Sequence, residues 1–220
     1  MGEPNRARAR ELAAQFIRSG DPTGWLEQLY REHEQGLKVV PWADLGTNPN
    51  LVEFFERYPI EAAGKTALTI GCGFGDDAEQ LAAWGFETTA FDVAPSAISA
   101  AKQRFPGSRV DYVTADLLAP PVEWQGRFDF VLESYTLQVL PPVLRPRAIL
   151  SVAGFVKISG MILLIARGRD EHEAEGQMPW PLTRRELDLF KEAGLHEESF
   201  EDYLDKESPA VRRFRAVFKK

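Results

Sequence analysis

Three glycines and two acids follow one short apolar strand, and together they could surround a nucleoside. The segment ALTIGCGFGDD ends on two aspartates and contains Gly71, Gly73 and Gly75. Glycine tolerates positive φ and lets the backbone approach a ligand closely. A dinucleotide-binding loop of the pattern G-x-G-x-x-G would place a further glycine where Asp76 stands. The loop therefore predicts a nucleoside site that differs from a dinucleotide site.

The two aspartates indicate which nucleoside ligand suits the loop. Asp76 and Asp77 stand in the first turn of the helix that follows, where a pyrophosphate would otherwise bind. Two carboxylates at that position stabilise the helix dipole and repel a phosphate. S-adenosylmethionine has an adenosine, no phosphate, and cationic sulfonium and ammonium groups. We therefore predict S-adenosyl-L-methionine as the cofactor and S-adenosyl-L-homocysteine as its product.

Further acids stand at the ends of the following strands. Asp92 ends the second strand, where a carboxylate can accept hydrogen bonds from both ribose hydroxyls. Asp116 follows the third strand and could accept from the adenine amine, with Leu117 beside it as an apolar wall. Glu133 ends the fourth strand and is expected to face the same crevice. The predicted cofactor-binding residues of this domain are Gly71, Cys72, Gly73, Gly75, Asp77, Asp92, Val93, Asp116, Leu117 and Glu133.

The elements that must position these residues alternate along the chain. Short β-rich runs, TALTI, FETTAF, RVDYV, FDFVLE and MILLIA, are separated by stretches of helical composition. This alternation is typical of an α/β domain with a doubly wound, mostly parallel sheet. Two β-like runs over 195–203 and 211–218 predict a hairpin that adds an antiparallel strand at one edge. Helices are predicted over 76–84, 95–104, 143–157 and 184–193.

The N-terminal part has a different pattern. A helix is predicted over 6–18, a second is opened by Asp21-Pro22, and a third starts at Asn48-Pro49. We predict that residues 1–60 form a helical extension that covers the active site. Residues 61–220 are predicted to form the domain that binds S-adenosylmethionine.

Composition excludes several classes of protein. A formal net charge of -7 over 220 residues argues against a general nucleic-acid binder. The single cysteine, Cys72, excludes an internal disulfide, and neither it nor the three scattered histidines forms a metal-ligand pattern. The N-terminus is too polar for a secretory signal, and no apolar run is long enough to span a bilayer. We expect a cytoplasmic protein, monomeric or weakly homodimeric, whose partner is a small-molecule acceptor rather than nucleic acid or membrane.

Residues 66–166 resemble the class I S-adenosylmethionine-dependent methyltransferases. That family has a Rossmann-like sheet of seven strands, which the C-terminal hairpin would complete. Thr69 departs from the pattern, because many members carry an acid just before the glycine loop. The branch of thiopurine, thiol and halide methyltransferases often lacks this acid. The segment VPWADLGTNPNLVEFF is similar to the proline-tryptophan-aspartate segment of that branch, although Ala43 separates Trp42 from Asp44.

The resemblance implies roles for residues outside the glycine loop. Trp42 and an upstream aromatic, Tyr30, would close over the cofactor, and Asp44 would take part in catalysis. A tryptophan face attracts a cation by about 0.5–2 kcal/mol, which suits a sulfonium. The alternative is that both rings only pack a helical cap.

Residues after the fourth and fifth strands could shape the acceptor pocket. Tyr135 lies just beyond the fourth strand and is predicted to be catalytic and to contact the acceptor. Arg167 and Arg169 leave the fifth strand and could bind an anionic part of the acceptor, or one of them could pair with Asp170 or Glu171 at the surface. The next loop, of about 16 residues, exceeds the usual length and holds Trp180, which is predicted to bind substrate or to anchor the loop.

The residues also indicate the accepting atom. A hydroxyl acceptor would need a strong base or a metal, and no histidine or metal cluster stands near the fourth strand. A thiol of pKa about 8.5 supplies its own thiolate. We therefore predict a small-molecule methyltransferase acting on a thiol or another sulfur or chalcogen nucleophile. The alternatives are transfer to an amine or nitrogen heterocycle, to a halide, or to a selenium or tellurium oxyanion. Two hypotheses assume no methyl transfer: an NAD-linked oxidoreductase and a non-catalytic S-adenosylmethionine-binding protein.

Overall fold

The computed structural model describes residues 3–37, 40–43 and 45–220, with the side chains of residues 3 and 4 left out. Helices and strands alternate after an N-terminal helical part. The helices are α1 Glu3–Arg18, α2 Gly24–Glu34, α3 Pro49–Arg57, α4 Asp76–Trp84, α5 Pro95–Arg104, α6 Arg145–Phe155 and α7 Arg184–Glu192. The strands are β1 Thr66–Ile70, β2 Glu87–Asp92, β3 Asp111–Thr114, β4 Phe128–Ser134, β5 Val156–Arg167, β6 His196–Leu204 and β7 Arg212–Lys219.

The strands form one seven-stranded sheet in the order β3-β2-β1-β4-β5-β7-β6. Strands β1 to β5 pair in parallel, and β7 pairs antiparallel with both β5 and β6. The predicted doubly wound α/β fold is therefore confirmed. The strand order reverses between β1 and β4, and ligands of such sheets bind at the carboxyl ends of the strands beside this point.

Two predicted helix boundaries differ from the structure. The helix expected over 143–157 ends at Phe155, because Val156 pairs with Phe128 and opens β5. The second helix begins at Gly24 rather than at the proline after Asp21. The Asp21 carboxylate accepts a hydrogen bond from the Gly24 N–H at 2.8 Å, which fixes a turn before the helix starts.

Apolar side chains cover both faces of the sheet. Phe155 of α6 and Phe190 of α7 are buried on one face, and Leu51 and Phe54 of α3 are buried on the other. Full burial of each such side chain contributes about 1.5–3 kcal/mol. The two layers hold the carboxyl ends of β1, β2, β4 and β5 in fixed positions.

The N-terminal helices pack against the same edge of the sheet. Trp25 and Leu29 of α2 are fully buried in a cluster that includes Phe74 of the glycine loop. The Glu27 carboxylate accepts hydrogen bonds from the Ser96 N–H at 3.0 Å and the Ser96 hydroxyl at 2.9 Å, at the start of α5. The extension therefore lies on the glycine loop, while the division of the chain at residue 60 stays a prediction.

Candidate active site

The glycine loop adopts a backbone that other residues rarely take. Gly71, Gly73 and Gly75 have φ values of 59°, 53° and 90°. A Cβ on Gly71 would collide with the Thr136 side chain, and one on Gly73 would lie 3.0 Å from the Tyr30 hydroxyl oxygen. The loop needs glycine for its left-handed conformation and for the close approach of neighbouring elements.

Asp92 is held against this loop by backbone groups. Its carboxylate accepts hydrogen bonds from the Gly73 N–H at 3.0 Å and the Ala94 N–H at 2.9 Å. Burial raises the pKa of Asp92 to about 6, against the two N–H donors that favour the ionised form. Each carboxylate oxygen keeps a further lone pair, so the group can still accept from two ribose hydroxyls. Val93 follows it and is half-buried.

The two aspartates after the glycine loop, Asp76 and Asp77, both have hydrogen-bond partners within the chain. Asp76 forms a two-point ion pair with Arg104, at 2.7 and 2.8 Å, and Arg104 also donates to the Phe74 carbonyl at 2.8 Å. Asp77 accepts from the Asn48 N–H at 2.7 Å, and burial raises its pKa to about 6. Arg104 thus balances the charge of Asp76, which weakens the repulsion of a phosphate that these two acids were predicted to exert.

An aromatic group covers the loop. The Trp42 indole N–H donates to the Tyr30 hydroxyl at 3.2 Å, and Trp42 also meets Trp25 edge to face at 5.9 Å. Tyr30 is buried and packs edge to face on Phe74, with ring centroids 5.3 Å apart. Burial raises the pKa of Tyr30, and the nearby Asp92 carboxylate adds to this. The structure thus brings both predicted cover residues together, and their contact with a cofactor stays a prediction.

The remaining loop residues have structural partners. Burial raises the pKa of the Cys72 thiol well above its ordinary value, so the thiol is neutral at physiological pH and suits a wall position. The Asp116 carboxylate accepts from the Leu118 N–H at 2.8 Å. Leu117 is buried in the core beside β1. The adenine-binding roles of Asp116 and Leu117 stay predictions.

Glu133 organises the turn after β4. One carboxylate oxygen accepts from the N–H groups of Thr136 and Leu137, both at 2.8 Å, and the other has no hydrogen bond within the described chain. Burial raises the pKa of Glu133 to about 7. The Thr136 hydroxyl donates to the Ile70 carbonyl at 3.1 Å. Glu133 therefore fixes the turn that carries Tyr135, and its predicted contact with the cofactor is untested.

Tyr135 lies just beyond β4, on the side of the crevice where the acceptor is predicted to bind; this side is the acceptor end, and the side of the glycine loop is the cofactor end. Tyr135 has a backbone φ of 66°, and its hydroxyl accepts a hydrogen bond from the Asn50 side chain at 3.0 Å. The Arg213 guanidinium lies 4.7 Å from the centre of the ring. Burial raises the pKa of Tyr135, and the Arg213 charge opposes this. Asp44, the other predicted catalytic residue, lies outside the described residues.

Sequence reasoning missed the polar network behind Tyr135. The Tyr203 hydroxyl donates to the Asn50 side-chain oxygen at 2.6 Å, and Asn50 also donates to the Asn48 side chain at 3.0 Å. The Asn48 side-chain amide donates to the Ser134 hydroxyl at 2.9 Å. The Asn48-Pro49 signal predicted the helix start correctly, but no local pattern indicates a contact with β6.

Arg169 holds the loop that follows β5. Its guanidinium donates to the carbonyls of Pro181, at 3.3 Å, and of Glu173, at 2.7 Å. Asp170 pairs with Arg212 at 2.8 Å rather than with either predicted arginine. The alternative of a pair with Asp170 is therefore wrong, and the predicted contact of Arg169 with substrate is untested.

Arg167 and Trp180 are joined through Gln138. The Gln138 side-chain oxygen accepts from the Arg167 backbone N–H at 2.8 Å. The Gln138 backbone carbonyl accepts from the Trp180 backbone N–H at 2.7 Å. Trp180 packs against the cluster around Trp25, as expected of a loop anchor. In the described part of the chain, the Arg167 guanidinium has no hydrogen bond to another residue.

Two classes of feature are absent from residues 3–37, 40–43 and 45–220. These ranges contain no group of three histidine, cysteine, aspartate or glutamate side chains that could hold a metal ion. Their helices are all too short or too polar to cross a bilayer.

The comparisons with known proteins agree with this geometry. Residues 67–160 match the family described as a methyltransferase domain. This part of the chain is therefore similar to a methyltransferase domain. The match supports the predicted enzyme class and cofactor, while the branch of thiopurine, thiol and halide enzymes stays a prediction.

One curated relative of this methyltransferase domain is the ubiquinone biosynthesis O-methyltransferase of Xanthomonas euvesicatoria pv. vesicatoria. The two are 31% identical over 125 residues, which cover 56% of this chain and 51% of the relative. The chain thus spans about half the length of the curated relatives it matches.

Solved structures share the fold of this chain at low identity. The 1,6-didemethyltoxoflavin-N1-methyltransferase of Burkholderia thailandensis, with bound 1,6-didemethyltoxoflavin and S-adenosylhomocysteine, is 17% identical and has a TM-score of 0.67. The similarity covers 100% of this chain and 91% of that one. A structure on the conversion of a disulfide bond into a thioacetal group during echinomycin biosynthesis is 20% identical, with a TM-score of 0.71. It covers 89% of this chain and 91% of that chain.

Proposed function

We propose that this protein transfers a methyl group from S-adenosylmethionine to a small molecule, with a thiol or another chalcogen nucleophile as the first choice of acceptor. The buried Asp92 carboxylate carries the proposal. Two backbone N–H groups hold it against the glycine loop, and each oxygen keeps a lone pair for a ribose hydroxyl. Tyr30 and Trp42 cover the same loop.

The residues present suit the cofactor. Asp92 would hold the ribose, Asp116 would accept from the adenine amine, and the glycine loop would contact the rest of the nucleoside. Trp42, about one third exposed, has a ring surface available to a cation. When bound, S-adenosylmethionine supplies an electrophilic methyl group on a sulfonium.

The groups at the acceptor end favour a nucleophile that reaches the site already as an anion. Because Asn50 donates to the Tyr135 oxygen, the phenolic hydrogen is left for another partner, which we propose is the acceptor. The raised pKa of Tyr135 keeps the phenol protonated at neutral pH, so it positions the acceptor and does not deprotonate it. Arg213, which pairs with Asp205 and Glu207, lies against the Tyr135 ring. A thiolate meets these conditions, because a thiol ionises near pH 8.5 without a strong base.

Alignment and exclusion of water supply the remaining rate enhancement. Orientation of two reactants lowers a barrier by roughly 7–11 kcal/mol when the geometry is held. The network of Asn48, Asn50 and Tyr203 holds Tyr135 in place, and the rings of Tyr30 and Trp42 exclude water above the glycine loop. Excluding water also strengthens electrostatic contacts with the acceptor.

The second candidate is transfer to the nitrogen of a heterocycle. The N1-methyltransferase with a bound heterocycle shares its fold with the whole of this chain, which supports the inclusion of such acceptors. The O-methyltransferase relative extends the candidates to oxygen acceptors, of which phenols ionise most easily. Halides and selenium or tellurium oxyanions need no base either, and they belong in the same screen.

Two measurements test the proposal. Calorimetric titration with S-adenosylhomocysteine and with NAD should show binding of the first alone, and the reverse result would favour an oxidoreductase. A screen of thiols, amines, nitrogen heterocycles, phenols, iodide, selenite and tellurite then follows the release of S-adenosylhomocysteine. We expect the highest turnover with thiols. Higher turnover with heterocycles or phenols would overturn the choice of sulfur, and no turnover with any acceptor would favour a binding protein.

A further inference from the structure

One arginine at the acceptor end differs from its neighbours. Arg167 ends β5 and lies directly opposite Arg213 in the antiparallel pairing of β5 with β7. Within the described residues, the Arg167 guanidinium makes no hydrogen bond or ion pair. Each arginine of β7, in contrast, bonds at least one carboxylate: Arg212 with Asp202 at 2.7 Å, Arg213 with Asp205 at 2.7 Å and Arg215 with Glu201 at 2.8 Å.

Two other arginines lie close enough to act on Arg167. Like charges on directly opposite residues of a strand pair destabilise the sheet unless a counter-charge is present. Burial lowers the pKa of Arg167, and the charges of Arg213 and of Arg6 on α1 lower it further. An arginine nevertheless stays protonated at neutral pH. The half-buried guanidinium therefore remains a cation without a carboxylate partner among the described residues.

The nearest acid does not neutralise it. Glu207 lies close enough to affect Arg167, but its carboxylate hydrogen-bonds Arg213 at 2.6 Å and is about half exposed. Tyr135, under the Arg213 guanidinium, is the other titratable group that affects Arg167, and its phenol is neutral. Three elements, α1, β5 and β7, thus direct positive charge to one place beside Tyr135.

We infer that Arg167, with Arg6 and Arg213 beside it, forms a subsite for a carboxylate group on the methyl acceptor. That the ligand is the methyl acceptor rests on the proposed function, while the anion site itself rests on the arrangement of charges. A guanidinium presents a planar pair of N–H donors, which matches the two oxygens of a carboxylate. The bound anion would supply the counter-charge that Arg167 lacks within the described residues. The acceptor class is then an anionic small molecule, such as an aromatic thiol that bears a carboxylate.

A binding experiment tests the subsite without turnover. The protein is saturated with S-adenosylhomocysteine and titrated calorimetrically with 2-mercaptobenzoate or with the neutral 2-mercaptobenzamide. We expect 2-mercaptobenzoate to bind at least tenfold more tightly. Arg167→Gln should abolish this preference and leave the affinity for the amide unchanged. Arg147→Gln removes the same charge from an exposed position of α6 and should retain the preference.

A second variant makes the test more specific. Glu207→Gln removes the acid nearest to Arg167 and should strengthen 2-mercaptobenzoate binding by about threefold, because less negative charge then opposes the ligand. In turnover, Arg167→Gln should raise KM for 2-mercaptobenzoate much more than it lowers kcat. A site that only shapes the protein would change both ligands alike.

The outcomes separate the subsite from the proposed function. Equal binding of the two ligands, binding of neither, or the same result for Arg167→Gln and Arg147→Gln would overturn the subsite and leave methyl transfer intact. A carboxylate preference without production of S-adenosylhomocysteine from any acceptor would overturn methyl transfer and leave the anion subsite standing.

Discussion

The cofactor end and the acceptor end of the crevice differ in how many of their polar groups are already bonded. At the cofactor end, Asp76, Asp77 and Asp92 all have partners within the chain. At the acceptor end, the Arg167 guanidinium and the Tyr135 hydrogen have none among the described residues. The polar groups of the cofactor end are therefore held in place without a ligand, whereas the acceptor end keeps hydrogen-bond donors that a ligand can use.

The difference has a physical reason. A ribose is recognised by an acceptor in a fixed position, and the backbone N–H groups of Gly73 and Ala94 fix the Asp92 carboxylate without relying on mobile side chains. An unpaired cation is costly to keep half-buried, so Arg167 has more to gain from an anionic ligand. Changes at the cofactor end should therefore affect binding of S-adenosylhomocysteine, and changes at the acceptor end should affect turnover.

The largest effect is expected at Asp92. Asp92→Ala removes both acceptors for the ribose hydroxyls, and hydrogen bonds to a charged group contribute about 1.5–3 kcal/mol each. The affinity for S-adenosylhomocysteine should fall at least tenfold, as measured by calorimetry. The exposed Asp111 provides a matched control, and Asp111→Ala should bind normally. An unchanged affinity in folded Asp92→Ala would remove the ribose assignment.

The second effect is a pH dependence of cofactor binding. Burial raises the pKa of Asp92 to about 6, so the carboxylate takes up a proton as the pH falls through 6 and loses acceptor capacity. Because the ligand prefers the ionised form, its dissociation constant should rise about tenfold between pH 7 and pH 5. Titrations in this range should show the step in the wild type and not in Asp92→Ala. A step that persists in the variant would assign the titration to another group, such as Asp77.

A smaller effect is expected at Tyr135. Tyr135→Phe removes the hydroxyl that donates toward the acceptor, and kcat/KM should fall about threefold to tenfold, since one hydrogen bond contributes about 1 kcal/mol. Binding of S-adenosylhomocysteine should not change. Tyr203→Phe removes a hydroxyl from the far side of the same network and serves as the control. If both variants lose equal activity, Tyr135 acts only through the network.

The smallest effect is expected at Arg104. Arg104→Gln removes the partly exposed ion pair with Asp76, and such pairs contribute about 0–1 kcal/mol. The melting temperature should drop by a few degrees, and the affinity for S-adenosylhomocysteine should change less than threefold. A large loss of affinity would show that the charge of Asp76 reaches the ligand and that Arg104 normally balances it.

Local patterns predicted much of the fold and of the cofactor end. A capping box of Thr183 and Glu186 begins the helix predicted from residue 184, and the Asn48 side chain caps the helix predicted at Asn48-Pro49. These hydrogen bonds join residues only two or three positions apart. The sequence also predicted the glycine loop and the acid that ends β2, because a single βαβ unit places them together. The seven-stranded sheet followed from the alternation of strands and helices.

The sequence by itself thus determined the glycine loop, the sheet and the acid that ends β2, all of which depend on short-range spacing. Only the tertiary structure decided the acceptor end, where Tyr203 and Asn50 are 153 positions apart. Arg167 meets Arg213 only because β7 inserts between β5 and β6 in one register. A shift of that register by one residue would turn these side chains to the opposite face, and no pattern within a single strand specifies it.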